Sequence, residues 1–314
     1  MTVQPVLEAW VEGIKKDMLQ RLRAGQTSHG AREGAIWPVS FILSNIRGLI
    51  GVRGRNKVPF LHDLATNMNC LWLAITETWL NPSILDSELL IHMPGYTVLR
   101  QDRQGRIRGG VCLFLREDLT GEVLCAYSNG VCELLIVKVY QLDTIVVVVY
   151  RPPDTCLGEF KPILNKIDKV LQNLPAPSPN ITLMGDLNFP SSAVTWQMAD
   201  GGVLPRVGGH RVTQQGDGKQ VRQQAANLCD LALKYSLTQQ VAEPTREKEI
   251  LDLIWSSNPD LVSSIQVDTF KDTTDHSVVS ATTSFRLAKV IQKEENFLLD
   301  SGRRFKLLDL SKAP

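Results

Sequence analysis

The stretch Thr144–Tyr150 constrains the fold most, because Ile145-Val146-Val147-Val148-Val149-Tyr150 is apolar at every position and rich in β-branched residues. Side chains of a strand alternate between its two faces, so such a run is a central strand covered on both. The 314 residues, 43% of them hydrophobic, supply a core large enough for that arrangement.

Around this run the pattern is strand-rich. Ser40–Asn45 and Leu71–Thr76 read as short buried strands with a helix over Lys57–Met68 between them. Val111–Leu115 and Glu133–Tyr140 are further strands, and a helix over Phe160–Leu174 is closed by Pro175, Pro177 and Pro179. Ile181–Met184 is a strand, and Ala225–Tyr235 is a helix with Leu228, Leu231 and Ala232 on its apolar face. Leu251–Ser256, Ser263–Thr269 and Ser277–Ser284 complete the strands. A parallel-sheet enzyme would alternate strand and helix, whereas here strands cluster. The fold class expected is α/β (α+β), two β-sheets packed face to face with helices outside.

Three regions are expected: an amphipathic helix and linker over 1–36, a folded domain over 37–286, and a charged tail or linker over 287–314. The helix spans residues 5–24, where Leu7, Trp10, Val11, Ile14, Met18 and Leu22 form its stripe, which either packs on the domain or pairs with a second copy. Oligomeric state stays open. Six cysteines include no Cys-x-x-Cys pair, and Cys70, Cys112 and Cys229 lie in apolar runs, as in a reduced intracellular protein. No apolar run reaches the roughly 18 residues that span a bilayer, so no membrane partner is expected.

Polar residues close many of the apolar runs. Asn45, Glu77, Tyr150 and the pair Asp186 and Asn188 each follow one, Asp252 lies inside Ile250–Trp255, and Asp275-His276 precede Ser277-Val278-Val279. Strand ends converge at one edge of a sheet, so these residues can meet. Together they make a phosphodiesterase. A hard divalent cation prefers carboxylate oxygen, which Glu77 offers with help from Asn45. Asp186 suits orienting and deprotonating a water, Asn188 fixes geometry without charge, and a protonated His276 suits donation to a phosphate oxygen. Asp252 or Asp275 would keep that imidazole charged. Singly, Asn45 and Asn188 read as caps sooner than ligands, Glu77 equally as the cap of the helix or turn that follows it, and Tyr150 as a core aromatic sooner than a phosphate contact. Their joint occurrence carries the functional reading.

At these residues the chain resembles the endonuclease/exonuclease/phosphatase (DNase-like) superfamily, and within it the endonuclease domain of non-LTR retrotransposons. Ser44-Asn45-Ile46-Arg47-Gly48, Thr76-Glu77-Thr78-Trp79, Tyr150-Arg151-Pro152-Pro153, Gly185-Asp186-Leu187-Asn188, Pro244-Thr245-Arg246 with Leu251-Asp252-Leu253, and Thr274-Asp275-His276-Ser277 match its motifs in order, across about residues 39–284. The resemblance implies a four-layered sandwich and magnesium, with manganese as an alternative. Glu77, Asn45 and Asp275 would lie at the metal. Asp186 and Asn188 would handle the water, Tyr150 the phosphate, and Asp252 would pair with His276. The implied activity is nicking of DNA to leave a 3′-hydroxyl that primes reverse transcription, in the nucleus, beside a reverse transcriptase or element RNA in a longer polyprotein. The same fold hosts phosphatases and phosphodiesterases of lipids or small phosphoesters, and a non-catalytic nucleic-acid-binding derivative is the third alternative. Three positions depart from the pattern. Arg47 stands where related repair nucleases carry a carboxylate, Thr274 replaces a usual Ser, and Leu187 a frequent Phe.

A net charge of +1 names no partner, but local charge does. Residues 40–62 and 100–116 are basic, and 205–222 reads as a basic, Gly-rich loop able to form a hairpin. Arg47, Arg103, Arg106, Arg108 and Thr245 are the DNA contacts expected.

Overall fold

A computed structural model of the chain describes residues 39–50, 56–199, 202–207, 217–270 and 273–285. The expected helix over 5–24 and the tail over 287–314 lie outside them. In chain order the elements begin with β1 (Val39–Asn45), α1 (Val58–Asn67), β2 (Cys70–Thr76), α2 (Asp86–Leu90), β3 (Tyr96–Gln101) and β4 (Val111–Arg116). They continue with β5 (Gly121–Ser128), β6 (Glu133–Val139), β7 (Thr144–Tyr150), α3 (Leu157–Gln172), β8 (Asn180–Asp186) and the hairpin β9 (Val194–Ala199) and β10 (Gly202–Val207). Last come α4 (Asp217–Lys234), β11 (Thr238–Gln239), β12 (Asp252–Ser256), β13 (Val262–Asp268) and β14 (Val278–Thr283).

The strands form two mixed sheets, one of six in the order β13-β14-β1-β2-β4-β3 and one of eight in the order β5-β6-β7-β8-β12-β11-β10-β9. Alternation along β7 explains the valine run. Val146, Val148 and Tyr150 face Phe41, Trp72 and Leu113 of the other sheet, while Ile145, Val147 and Val149 face Phe160, Ile163 and Ile167 of α3. On the far side of the six-stranded sheet, Ile42, Leu73 and Ile75 pack on Leu61 and Leu64 of α1. The result is the four-layered sandwich expected. No described helix is long and apolar enough to cross a membrane.

One boundary moved for a physical reason. Helix α4 starts eight residues before the expected Ala225, because its first two turns are polar, so Lys219 and Arg222 ride on a helix instead of a loop. A hairpin pairs Val194–Ala199 with Gly202–Val207, and residues 208–216 of the loop expected to form a hairpin lie outside the described residues.

Gly185 of β8 lies against Val149 of β7. Its φ is 155°, and a Cβ there would collide with the Val149 carbonyl oxygen. Gly185→Ala is therefore expected to lower stability by about 2–3 kcal/mol, read as an earlier urea midpoint. A midpoint equal to the parent's would show that the two strands can part without cost.

Candidate active site

Register places the site. In the eight-stranded sheet, Tyr150 pairs with Asp186 between β7 and β8, and Asp186 pairs with Asp252 between β8 and β12. Three neighbouring strands therefore present an acid or a phenol at one edge. The six-stranded sheet brings Asn45 at the end of β1 and Glu77 just past β2 to the same edge. His276 stands two residues before β14.

The two sheets meet through side chains. Asn45 Nδ2 donates to Asp186 Oδ2 at 2.7 Å and to Glu77 Oε1 at 3.0 Å. The Tyr150 hydroxyl donates to Glu77 Oε1 at 2.9 Å, and Trp79 Nε1 donates to Glu77 Oε2 at 3.0 Å. His276 Nδ1 bonds Asp252 Oδ2 at 2.8 Å, and its Nε2 lies 4.0 Å from Asp186 Oδ2. Asn45, Asp186 and Asp252 are fully buried. Arg47, Glu77, Trp79 and Asn188 all take left-handed backbone, with φ between 47° and 55°. Each costs about 1–2 kcal/mol for a residue with a Cβ, and such strain collects at functional sites.

Electrostatics separates the groups. Burial lowers the His276 pKa, but Asp252 and then Asp186 more than offset this and lift it to about 9, so the imidazole is charged at neutral pH. Burial, then Asp252, raises the Asp186 carboxyl. Burial, then Glu77, keeps the Tyr150 phenol protonated and therefore a donor.

Glu77 fits a divalent cation. Its half-buried carboxylate is held by three neutral donors, and no cationic side chain among the described residues pairs with it. Hard oxygen ligands beside a buried aspartate suit magnesium or manganese. Asp186, Asp252 and His276 also offer ligand atoms within 4.8 Å of one another. A doubly protonated imidazole has no lone pair to give, so that trio reads better as a hydrogen-bonded relay than as an ion's cage.

The other expected residues divide. Asp275 Oδ2 accepts from Arg47 Nη1 at 2.7 Å and from Arg246 Nη2 at 2.8 Å, at the rim. Arg106 and Arg108 are exposed, with the Arg108 guanidinium 5.3 Å from the Trp79 ring centre. Arg103 is not turned to solvent as an exposed DNA contact would be: its part-buried guanidinium is bonded to Glu133 at 2.7 and 3.0 Å. Thr245 is not one either. It is fully buried, and its hydroxyl accepts the Leu251 and Asp252 amides at 3.1 and 3.0 Å, fixing the start of β12. Asn188 Nδ2 donates to the Arg151 carbonyl at 2.9 Å, and the Asn188 amide donates to Asp186 Oδ1 at 3.1 Å.

Sequence reasoning missed Arg151, Glu133 and the Trp79 indole. Arg151 is fully buried, donates to the Leu187 and Asn188 carbonyls at 3.1 and 3.2 Å, and lies over the Phe189 ring. Burial lowers its pKa to about 10. It braces the turn that carries Asp186 and Asn188. The signal available was an ionisable residue bordering apolar runs, as at Asp252.

Residues 144–280 match the family model described as endonuclease-reverse transcriptase. No curated protein matches the chain by sequence. Among solved structures, an AP endonuclease from Archaeoglobus fulgidus aligns with a TM-score of 0.54 at 13% identity, covering 78% of this chain and 99% of that one. The endonuclease domain of TRAS1, a telomere-specific non-LTR retrotransposon, aligns with a TM-score of 0.52 at 15% identity, covering 80% and 100%. A 3′-5′ exonuclease from Neisseria meningitidis aligns with a TM-score of 0.53 at 14% identity, covering 79% and 99%. These likenesses carry the fold, and the family match covers β7, β8, β12 and the Asp275-His276 segment. The chain therefore has the fold of these nucleases, and its residues 144–280 resemble the endonuclease-reverse transcriptase family.

Proposed function

We propose that the chain is a magnesium-dependent DNA endonuclease that leaves a 3′-hydroxyl and a 5′-phosphate at the nick. The observation that carries this reading is the placing of Asp186 between Asn45 Nδ2 at 2.7 Å and the charged imidazole of His276 at 4.0 Å, beside Glu77. A magnesium ion, or manganese in its place, held by Glu77 with Asn45 and Asp275 near it, would neutralise charge on the scissile phosphate and the leaving oxygen.

The chain's own groups do the rest. Asp186 takes the proton of the attacking water, with the Asn188 amide and Asn45 fixing its carboxylate. His276 donates from Nε2 to a non-bridging oxygen, and Asp252 holds the ring charged. The Tyr150 hydroxyl orients Glu77 and faces the phosphate. Arg47, Arg106 and Arg108 supply phosphate contacts at the rim. The retroelement-type motifs and the family match favour DNA, action in the nucleus, and a nick that primes reverse transcription beside an element's polymerase.

Supercoiled plasmid incubated with the protein and magnesium is expected to relax to the nicked form, EDTA is expected to stop this, and a DNA polymerase is expected to extend from the nick. Intact plasmid together with turnover of a lipid or small phosphoester would move the assignment to the phosphatase branch of the fold.

A further inference from the structure

Glu133 opens β6 with its side chain fully buried, opposite Tyr150 in the β6–β7 register, so both side chains point between the sheets. A carboxylate there needs a partner, and it comes from the other sheet. Arg103, in the connection between β3 and β4, donates Nε to Glu133 Oε1 at 2.7 Å and Nη2 to Oε2 at 3.0 Å. The Gly110 amide donates to Oε2 at 3.1 Å. The Arg103 guanidinium also lies 5.4 Å from the Tyr150 ring centre.

The same connection holds the turn that carries Glu77. The Thr78 amide donates to the Gly110 carbonyl at 3.2 Å, and the Trp79 amide to the Gly109 carbonyl at 2.8 Å. Gly110 has a φ of 86°, and a Cβ there would run into the Thr78 hydroxyl, so the contact depends on glycine. Glu77 thus belongs to one sheet and its donor Tyr150 to the other, and the Arg103–Glu133 pair spans the gap beside them. A buried ion pair contributes little net stability compared with apolar residues of similar volume, because desolvation offsets the attraction. Its two-pronged geometry does fix distance and angle.

We infer that Arg103 is a positioning residue: paired with Glu133 it is a strut between the sheets that sets Glu77 against Tyr150. The inference rests on the active-site reading above. The test is the double variant Arg103→Met/Glu133→Gln, which removes both charges at similar volume and keeps an acceptor for the Gly110 amide, so no buried charge is stranded. It is expected to melt within a few degrees of the parent. Its kcat for plasmid nicking is expected to fall ~10- to 100-fold with KM for DNA nearly unchanged, as for a small misplacement of reacting groups. Amide hydrogen exchange at Thr78 and Trp79 is expected to quicken about tenfold, with β2 and β7 unaffected.

A folded double variant with parental kcat, or with a loss confined to KM, overturns the strut. If the parent itself fails to nick DNA, the functional reading falls and the exchange measurement alone decides. Faster exchange at Thr78 and Trp79 then supports the strut, and unchanged exchange overturns it.

Discussion

Asp186→Asn is expected to slow nicking by about a thousandfold while leaving thermal stability nearly unchanged. The carboxylate is fully buried, with the Asn45 amide on Oδ2 and the Asn188 backbone amide on Oδ1. An asparagine has one acceptor for these two donors, so one is stranded at a cost of about 1–3 kcal/mol. Against that, the substitution removes a buried negative charge crowded by Asp252, which raises the pKa of the acid it replaces. The two effects oppose each other in stability but not in catalysis, where the neutral amide takes no proton from water. Single-turnover nicking and a melting curve on the same sample separate the two. Activity within tenfold of the parent would mean that another group activates the water.

The gathering of the candidate site was legible because its polar residues stand at strand ends. Asn45, Tyr150 and Asp186 are the last residues of their strands and Asp252 is the first of its own, so sequence position alone brought them to one edge. Direction of side chains was not legible. Arg103 and Arg108 stand five residues apart in one basic segment, yet one turns inward onto Glu133 and the other lies exposed over Trp79. Only the pairing of β3 with β4 and the glycines at 109 and 110 decide which turns inward. Thr245 was misread for the same reason: its hydroxyl serves backbone amides at the base of β12, a role no motif spells out. Glu133 and Arg151 hold the site from beneath and left only a weak trace, an ion beside an apolar run.

The fold was legible where both faces of an element are buried. Strands β1, β2 and β7 are buried throughout and appeared as continuous apolar runs, with β7 matching its expected bounds. Of the strands with a wet face, β13 was found within one residue of its bounds, but β3 and β5 were missed. β3 and β5 are mostly half-buried or exposed, and their polar positions hide the alternation. The first turns of α4 were missed because Gln220, Arg222 and Gln223 disguise them. Burial on two sides leaves a pattern in composition itself, whereas an edge strand is specified by its neighbour.

Asp252→Asn and His276→Ala are each expected to cost about 10²- to 10⁴-fold in single-turnover nicking, and the double variant no more than the worse of the two. Asp252 is the largest influence raising the His276 pKa, and it holds Nδ1 at 2.8 Å. With asparagine at 252 the imidazole loses that support and turns neutral. Its proton then stays on Nδ1, facing the amide oxygen, and Nε2 meets the phosphate as a lone pair instead of a donor. Removing the imidazole does the same catalytic damage by a different route, so the second substitution has nothing left to remove. Stability separates the variants. His276→Ala leaves Asp252 buried without its cation and beside Asp186, which costs about 3–5 kcal/mol. Adding Asp252→Asn deletes the stranded charge, so the double variant is expected to melt higher than His276→Ala while nicking no more slowly. Losses that multiply would mean that Asp252 acts on the substrate independently of the imidazole, and the relay would be wrong.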